Sequence, residues 1–419
     1  MNAHPSILII GTCDTKADEI LFLKSCIEKQ DASALIMDVG ALGKPHFQPD
    51  FSNAEVAAAA GSTLEAILQL GDENRVMTKI AEGAARLTRS LYDQGKIQAM
   101  IALGGTMGTD LALDAASALP LGVPKFVVST VAFSHLLPPD RMAADLMMIL
   151  WPGGLYGLNS ICKSVLSQAA GAVTGAARAA VLPRQDRPLI GVTSLGKACL
   201  RYMVPLKPQL EARGYDVAVF HSTGMGGRAF EALAEERRFV AVLDLCLQEV
   251  SNHLGGSVVT AGKSRLESAG RAGIPQIVAP GAIDMVDFQA WTETPARFEH
   301  RTVHAHNRLV ASVATSPEHR AALARIIGEK LALAKGPVQF ILPIRGVEEW
   351  DRPGEPLHDP DGLGAFLKAI RASIKPPAEL LEIDAHINDP HFADAVLGVF
   401  DAWVANGVIP SGKIGEDHV

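Results

Sequence analysis

The chain of 419 residues lacks several features that would place it in a common functional class. It has no basic excess: its formal net charge is -8, whereas a protein that binds duplex nucleic acid usually presents a basic face. It also has no uninterrupted apolar run long enough to span a bilayer. We therefore expect a protein that binds neither nucleic acid nor a membrane.

Cysteine is scarce and has no metal-binding pattern. The five cysteines include no CxxC pair, so they provide no framework for a structural zinc ion. Scattered, unpaired cysteines are typical of a reducing compartment. Residues 1–5 lead directly into a strand-like stretch, so we expect no signal peptide and a cytoplasmic location.

Short apolar runs alternate with helical patterns in the first half of the chain. The hydrophobic fraction of 48% is sufficient for more than one core. Strands are predicted at 6–10, 34–38, 99–103 and 125–129, and helices near 74–94 and within 155–180. Continuous apolar strands alternating with helices predict a parallel sheet covered on both faces. A proline-containing linker follows at 183–188.

The same order of segments begins again after the linker. Strand-like runs occur at 189–193, 217–220, 240–244 and 273–278, and the last closely resembles 122–127. The remaining elements are predicted as strand 338–342, helix 361–374, strand 380–383 and helix 390–405. We therefore predict an α/β protein with two Rossmann-like, doubly wound parallel-sheet domains related by an internal repeat, 1–184 and 185–419, facing each other across a cleft.

Two glycine-rich loops follow strands of the first half, at the edge where open parallel sheets bind ligands. The first is GTCDTK, in which Gly11 permits a tight turn and Lys16 adds positive charge. Thr15 and Asp18 have the spacing of a capping box, which predicts an anion-binding helix N-terminus beginning at Thr15. The alternative is an ordinary capped turn, because the loop matches neither GxGxxG nor a P-loop.

The second loop is GGTMGTD, which follows the third predicted strand. Its three glycines and two threonines suit a cradle of backbone N–H groups around a phosphate. A third loop of similar design, TGMGGR, lies in the second half, and its Arg228 has the geometry to clamp a carboxylate or phosphate. The alternatives are a flexible packing loop, or an Arg228 that pairs with an acidic residue.

Acidic and histidine residues are dense in the second half. Asp244 and Asp284 are expected at or just beyond strand ends, where catalytic carboxylates are commonly presented. Glu249 and His253 are one helical turn apart, a spacing that suits a metal or an acid–base pair. The alternative for that pair is a solvated surface contact.

Together, these loops resemble the ATP-binding domain family typified by the N-terminal domain of the tomato mosaic virus resistance protein, which has many uncharacterised bacterial members. The resemblance extends over nearly the whole chain, although Met107 stands where the family loop has glycine. The segments that carry it are 11–16, 38–40, 104–109, 122–124, 223–228, 272–275, 280–284, 306–307, 345–346 and 387–390.

The resemblance implies two Rossmann-like subdomains, an ATP site built mainly by the first, dimers, and a possible partner in a phosphoenolpyruvate-mutase-like barrel protein. We expect ATP with Mg²⁺, with Lys16 neutralising phosphate charge and Asp14 or Asp38 holding the magnesium ion or the ribose. The expected cofactor contacts are Gly11, Thr12, Asp14, Thr15, Lys16, Asp38, Gly40, Gly104, Gly105, Thr106, Gly108 and Thr109. The helical stretch within 155–180 has a small-residue surface that favours a homodimer; the alternative is that this helix joins the two halves within one chain.

We expect an ATP-dependent enzyme that acts on a small carboxylate or carbonyl metabolite by phosphoryl transfer or ligase-type chemistry. The expected substrate contacts are Thr223, Gly224, Gly226, Gly227 and Arg228. Asp244, Glu249 and Asp284 are the expected acids or bases, and Arg228 orients the substrate. The alternative is a nucleotide-binding regulatory or scaffold protein that controls a partner enzyme. A nicotinamide dehydrogenase is disfavoured because the first turn lacks GxGxxG.

Overall fold

A computed structural model of the protein describes residues 4–138, 141–183 and 186–413. The chain divides into two compact units, Met1–Arg184 and Gln185–Val419, and each has its own sheet. The predicted boundary between Arg184 and Gln185 lies on residues outside the described ranges. Among the described residues we find no helix with both the length and the apolar character needed to cross a membrane.

The first unit is built on a five-stranded parallel sheet in the order β2-β1-β3-β4-β5. Its strands are β1 (Ser6–Gly11), β2 (Ser33–Asp38), β3 (Ala99–Gly104), β4 (Lys125–Ser129) and β5 (Met147–Leu150). Its helices are α1 (Ala17–Glu28), α2 (Asn53–Ala59), α3 (Leu64–Leu68), α4 (Glu73–Asp93), α5 (Thr106–Ser117) and α6 (Ser160–Ala179).

Alternate residues of β1 supply two separate cores because successive side chains of a strand point to opposite faces. Ile7 and Ile9 join the apolar cluster that includes residues of α1 and α6. Leu8 and Ile10 join the cluster that includes residues of α4 and α5. The sheet is therefore covered on both faces, as its apolar strands require.

The second unit contains a six-stranded parallel sheet in the order β14-β13-β9-β8-β6-β7. The parallel strands are β6 (Leu189–Ser194), β7 (Asp216–His221), β8 (Ala241–Cys246), β9 (Gln276–Gly281), β13 (Val338–Pro343) and β14 (Ala378–Ile383). A small antiparallel sheet of β10 (Met285–Gln289), β11 (Val303–Ala305) and β12 (Val310–Ala314) is inserted between β9 and β13. The helices are α7 (Met203–Ala212), α8 (Met225–Glu235), α9 (Gln248–Leu254), α10 (Ser268–Ala272), α11 (Pro317–Leu331), α12 (Pro360–Ser373) and α13 (Pro390–Ala405).

The two parallel sheets share one strand order. In each unit the second strand lies at the edge beside the first, and the third, fourth and fifth parallel strands follow on the other side. This shared order confirms the predicted α/β fold class of two Rossmann-like parallel-sheet units. The sequence patterns did not predict β5, β10 or β12.

Candidate functional site

The two glycine-rich loops of the first unit meet at one cavity. The carboxyl ends of β1 and β3 lead into a cavity of about 560 Å³, within the range of small-molecule sites. Its polar lining comes from Thr12, Asp14, Thr15, Lys16, the segment 104–108, and the acidic Asp72 and Glu73 at the start of α4. The structure therefore brings most of the predicted cofactor residues together at the ligand edge of the sheet.

The same cavity has an apolar wall. It is lined by Val39, Ala41, Leu42, Leu68, Val76 and Met77. The part supplied by the N-terminal turn of α4 was not predicted, because those side chains follow the ordinary periodicity of a packed amphipathic helix. One cavity thus combines polar loops with an apolar wall.

The first loop does not form the predicted capping box. Helix α1 begins at Ala17, with Lys16 at its N-cap and no side-chain cap among the described residues. Instead, the Thr12 carbonyl accepts the backbone N–H groups of Thr15 and Lys16, and the Thr12 and Thr15 hydroxyls are 2.8 Å apart. The prediction of a helix start at Thr15 was wrong, because this tight turn satisfies Thr15 before the helix begins. Lys16 nevertheless lines the cavity.

The second loop leads directly into α5. Gly105 occupies the N-cap with an extended backbone, and the described residues place neither a side-chain cap nor an acidic residue in the first turn of α5. The first N–H groups of a helix have no intrahelical acceptor, so this turn presents donors to an anion. Gly104 permits the chain reversal, because a Cβ there would lie 2.6 Å from the Gly108 Cα.

Thr109 is the exception in this loop. It is fully buried, and its hydroxyl is 2.7 Å from the Ser129 hydroxyl. Thr109 therefore ties the start of α5 to the end of β4, and it does not line the cavity with its neighbours Thr106 and Gly108. This placement gives Thr109 a structural contact in place of the predicted phosphate contact.

The two predicted magnesium or ribose carboxylates occupy different environments. Asp38 is buried, and its Oδ1 accepts the N–H groups of Cys13 and Gly40 at 3.0 and 2.8 Å, so it joins the turns after β1 and β2. Burial raises the pKa of Asp38, and the two backbone N–H groups oppose that rise. Asp14 lines the cavity.

Only one of the two Asp14 carboxylate oxygens accepts hydrogen bonds within the described part of the chain. Its Oδ2 accepts the N–H groups of Leu42 and Gly43 at 2.8 and 3.0 Å, while its Oδ1 has no hydrogen-bond partner within the described part of the chain. Gly40 leaves room for this carboxylate, because a Cβ at residue 40 would lie 2.7 Å from the Asp14 Cγ. Gly11 is likewise a packing position, since a Cβ there would lie 2.8 Å from the Ile20 Cδ1.

The third glycine-rich loop binds a carboxylate of the protein itself, that of Glu249. The Glu249 Oε1 accepts the N–H groups of Gly224 and Gly227 at 2.6 and 3.0 Å, at the start of α8. Gly224 has a φ of +89°, and a Cβ on Gly226 would lie 1.8 Å from the His221 carbonyl oxygen. The glycines are therefore explained by a tight turn over a buried carboxylate, which occupies the N–H groups of Gly224 and Gly227.

Arg265 neutralises that carboxylate. Its fully buried guanidinium contacts Asp244 through two nitrogens, Glu249 at 2.8 Å and Glu231 at 3.3 Å. Burial raises the pKa of Glu249, and the Arg265 charge opposes that rise. Asp244 lies within β8, not at its end as predicted. Because Asp244 and Glu249 are fully engaged inside the fold, we assign them a structural role.

The other two predicted catalytic residues lie on different elements. Arg228 lies in the first turn of α8 and has interactions of its own. Asp284 is buried after β9. His253 is exposed while Glu249 is buried on the same helix α9, so these two form neither the predicted metal pair nor a surface pair. No cluster of three or more potential metal ligands occurs among the residues that the structure describes.

A smaller cavity of about 250 Å³ lies in the second unit, at the carboxyl ends of β6 and β7. Thr223, His306 and Asn307, which the sequence singled out, are part of its lining. The rest of the polar side-chain lining was not predicted: Lys197, His221, Gln248, Asp287 and Ser312. Asp287 and Ser312 lie on the antiparallel strands that the sequence did not predict, so no local signal marked them.

The sequence matches two domains of one family. Residues 5–181 match the N-terminal domain of the uncharacterised protein family UPF0261, and residues 187–404 match its C-terminal domain. A UPF0261 protein of Brucella melitensis is 58% identical over 99% of this chain and 100% of its own length. A UPF0261 protein of Clostridium tetani is 35% identical over 94% of this chain and 97% of its own length.

More distant similarities extend beyond bacteria. The ToMV resistance protein Tm-1(GCR237) of Solanum lycopersicum is 28% identical over 94% of this chain and 55% of its own length. Among solved structures, UDP-GlcNAc 2-epimerase of Methanocaldococcus jannaschii has 13% identity and a TM-score of 0.21, covering 65% of this chain and 82% of its own. The E. coli ADP-heptose LPS heptosyltransferase II has 12% identity and a TM-score of 0.21, covering 96% of this chain and 99% of its own.

Proposed function

The chain belongs to the uncharacterised protein family UPF0261, and we propose that its first unit binds ATP as part of an ATP-dependent enzyme that acts on a small carboxylate or carbonyl metabolite. One observation carries the proposal: the uncapped N-terminal turn of α5 and Lys16 line the same cavity at the carboxyl edge of a parallel sheet. Open α/β sheets bind nucleotides at this edge.

In this proposal the phosphates bind at the two glycine-rich loops of the cavity. The N–H groups of the first turn of α5 point out of the N-terminus of the helix, and the helix dipole adds partial positive charge at this N-terminus. Lys16 supplies a full positive charge from the neighbouring loop. Its ammonium nitrogen lies 5.6 Å from the centre of the Tyr156 ring. This cation–π contact restricts the conformations of the Lys16 side chain. Two independent elements that favour an anion therefore line the same cavity, which supports phosphate binding there.

The adenine fits the apolar wall. Val39, Leu68, Val76 and Met77 contribute aliphatic surface to the same cavity as the phosphate loops. A flat, mostly apolar base is suited to such a surface, while the polar loops orient the charged phosphates. The sequence resemblance described above implies ATP as the nucleotide, and the presence of both polar loops and an apolar wall in one cavity supports that assignment.

Asp14 is the residue best placed to hold Mg²⁺ or the ribose. Its Oδ1 is buried without a partner among the described residues, and magnesium prefers carboxylate oxygens close to phosphates. A bound Mg²⁺ would supply charge neutralisation for the phosphates. Asp38 is less suited, because the N–H groups of Cys13 and Gly40 already occupy its Oδ1.

Substitution of Gly105 tests the proposal. Asp and Asn are both favourable helix N-caps, and a Cβ at residue 105 would find its nearest neighbour, the Thr130 hydroxyl, at 3.8 Å. Gly105→Asp and Gly105→Asn should therefore both fold with melting temperatures at or above that of the wild type. Gly105→Asp puts a negative charge beside the phosphates and should weaken ATP binding by about tenfold or more in calorimetry.

Gly105→Asn is the matched control, because it has the same size and capping ability without the charge. Its ATP affinity should stay within about threefold of the wild type, since the backbone donors remain. Equal ATP affinity for the wild type and Gly105→Asp would remove the phosphate role of this loop.

The regulatory alternative differs in turnover. An enzyme should consume ATP when it is supplied with a pooled metabolite extract and should form a metabolite-dependent product. A nucleotide sensor should bind ATP equally well and form no such product. Product analysis by mass spectrometry on the full-length protein separates these two functions.

A further inference from the structure

The small cavity of the second unit contains a buried hydrogen-bond acceptor with no partner. Gln248, the first residue of α9, is 1% exposed and lines the cavity. Its Nε2 donates to the Asp287 Oδ1 at 2.8 Å, and its Oε1 has no hydrogen-bond partner in the part of the chain that the structure describes. A buried carbonyl oxygen left unpaired is unfavourable, so it marks a position for a donor from a ligand.

The surrounding network determines which end of the Gln248 amide is the acceptor. Asp287 is 4% exposed, and it also accepts from the Ser312 hydroxyl at 2.6 Å and from the Asn252 Nδ2 at 3.4 Å. The Asn252 Oδ1 accepts the Asp287 backbone N–H at 2.7 Å. A flip of the Asn252 amide, which exchanges its oxygen and nitrogen, would therefore lose this contact and the one from its Nδ2 to the Asp287 carboxylate. Since a carboxylate only accepts, Gln248 must direct its NH₂ to Asp287 and its Oε1 away from it.

The mouth of the same cavity carries donors suited to a carboxylate. Lys197 lines it with an exposed side chain, on a loop that the Gly196 N–H ties to the His221 Nε2 at 3.1 Å. The Asn307 Oδ1 accepts the N–H groups of Leu309 and Val310, so the donors of its amide remain at the cavity. Lysine and amide donors together stabilise a carboxylate group.

The volume and the chemistry limit the ligand to a small class. A cavity of about 250 Å³ is below the usual range for drug-sized ligands, so it suits a short metabolite. An α-ammonium group carries three hydrogens and is best held by several acceptors, and the Asp287 carboxylate in this lining already accepts from three side chains. The Gln248 Oε1 is the buried side-chain acceptor of this lining that has no partner among the described residues, and one neutral acceptor matches one hydroxyl group.

We propose that this cavity is a binding site for a short 2-hydroxycarboxylate, whose carboxylate lies at Lys197 and Asn307 and whose hydroxyl donates to the Gln248 Oε1. The proposal rests on the proposed function in one respect: it narrows the small carboxylate substrate to hydroxy acids. It does not depend on ATP binding by the first unit, because every residue that it uses belongs to the second unit.

Matched acids test the proposal on the full-length protein. Ligand-observed NMR and calorimetry should compare lactate with propionate and alanine, and malate with succinate and aspartate, each without nucleotide. At least one hydroxy acid should bind about tenfold or more tightly than both its deoxy and its amino analogues. Equal binding of hydroxy and deoxy acids, preference for an amino acid, or binding of none of the six acids overturns the proposal.

Two substitutions test the hydroxyl contact and the carboxylate contact of the ligand separately. Gln248→Met keeps the side-chain length without the carbonyl, and it should abolish the preference for the hydroxy acid over its deoxy analogue. Lys197→Gln, at an exposed position, should weaken the binding of both acids equally. Lys368→Gln, at an exposed position of α12, should weaken the binding of neither acid. A hydroxyl preference that survives in folded Gln248→Met contradicts the assignment.

ATP calorimetry on the same preparations separates this proposal from the previous one. Loss of hydroxy acid binding with normal ATP affinity counts against the second-unit site alone. Normal hydroxy acid binding without ATP binding counts against the nucleotide assignment alone.

Discussion

The Glu249 carboxylate lies directly beneath Gly227 and accepts its backbone N–H at 3.0 Å. The same oxygen accepts the Gly224 N–H at 2.6 Å, and Arg265 contacts the other carboxylate oxygen. A glycine-rich turn at the start of α8 is thus occupied by a side chain of the protein. The described residues provide no such cap for α5 in the first unit, and this difference is why we assign the nucleotide to the first unit.

The first prediction concerns the fit between Gly227 and Glu249. A Cβ on residue 227 would lie 1.8 Å from the Glu249 Oε2, which Arg265 holds in place while the N–H groups of Gly224 and Gly227 hold the Oε1 of the same carboxylate. Gly227→Ala should therefore lower the free energy of unfolding by about 2 kcal/mol or more, measured by urea denaturation. Gly398→Ala is the control: it lies in helix α13 with open space around it and should stabilise slightly. Similar effects of the two substitutions would contradict the observed packing.

The second prediction concerns the charge of Lys16. Lys16 lines the nucleotide cavity, whereas Lys29 lies at the other end of α1 and is exposed. Lys16→Gln should weaken ATP binding by about tenfold, because it removes a cation beside the phosphates in a partly desolvated site. Lys29→Gln should leave the affinity unchanged in the same calorimetric titration. An unchanged ATP affinity in Lys16→Gln would show that its charge does not face the phosphates.

The third prediction distinguishes Asp14 from Asp38. In each, an Asn Oδ1 can still accept the two backbone N–H groups that hold the side chain, so both variants should fold. Asp14→Asn should bind Mg²⁺–ATP more weakly while its affinity for ATP in excess EDTA is retained, because it removes the charge of the carboxylate proposed to hold Mg²⁺ and keeps an oxygen for the two backbone contacts. Asp38→Asn should behave as the wild type under both conditions. The reverse result would assign the metal or ribose contact to Asp38.

The fourth prediction concerns pH. Asp284 is buried with both carboxylate oxygens lacking a partner among the described residues, and burial raises its pKa to about 7, with Arg320 opposing and Asp351 reinforcing the rise. Since an unfolded Asp has a pKa of about 3.9, the native state retains the proton longer than the unfolded state. The stability contributed by the neutral carboxyl is therefore lost as the pH rises from about 4 to about 7.

Asp284→Asn removes that loss because the amide stays neutral. Relative to the wild type, it should gain stability on the order of a few kcal/mol at pH 8, and the gain should shrink toward pH 4. Urea denaturation at three pH values measures this trend. Asp361→Asn, at an exposed position, is the control and should show no such trend. A gain in Asp284→Asn that is independent of pH would mean that Asp284 does not titrate as described.

Most regular elements could be predicted from local pattern alone. The predicted strand 338–342 corresponds to β13 (Val338–Pro343), and the predicted helix 390–405 corresponds to α13 (Pro390–Ala405). The missed strand β5 has only four residues, a length at which apolar periodicity does not separate a strand from a loop. Strands β10 and β12 were missed because their pairing with each other is non-local.

The sequence by itself determined the alternation of strands and helices, the repeated succession of segments along the chain and the positions of three glycine-rich turns, because each of these depends on residues close together in the chain. Only the tertiary structure decided what each turn holds. Glycine content reports backbone freedom and close approach, but the partner of the TGMGGR turn is Glu249, 22 residues beyond Gly227, which β8 and α9 carry back beneath it. The turns of the first unit instead open onto a cavity, because the folded chain brings no such side chain to the start of α5 among the described residues.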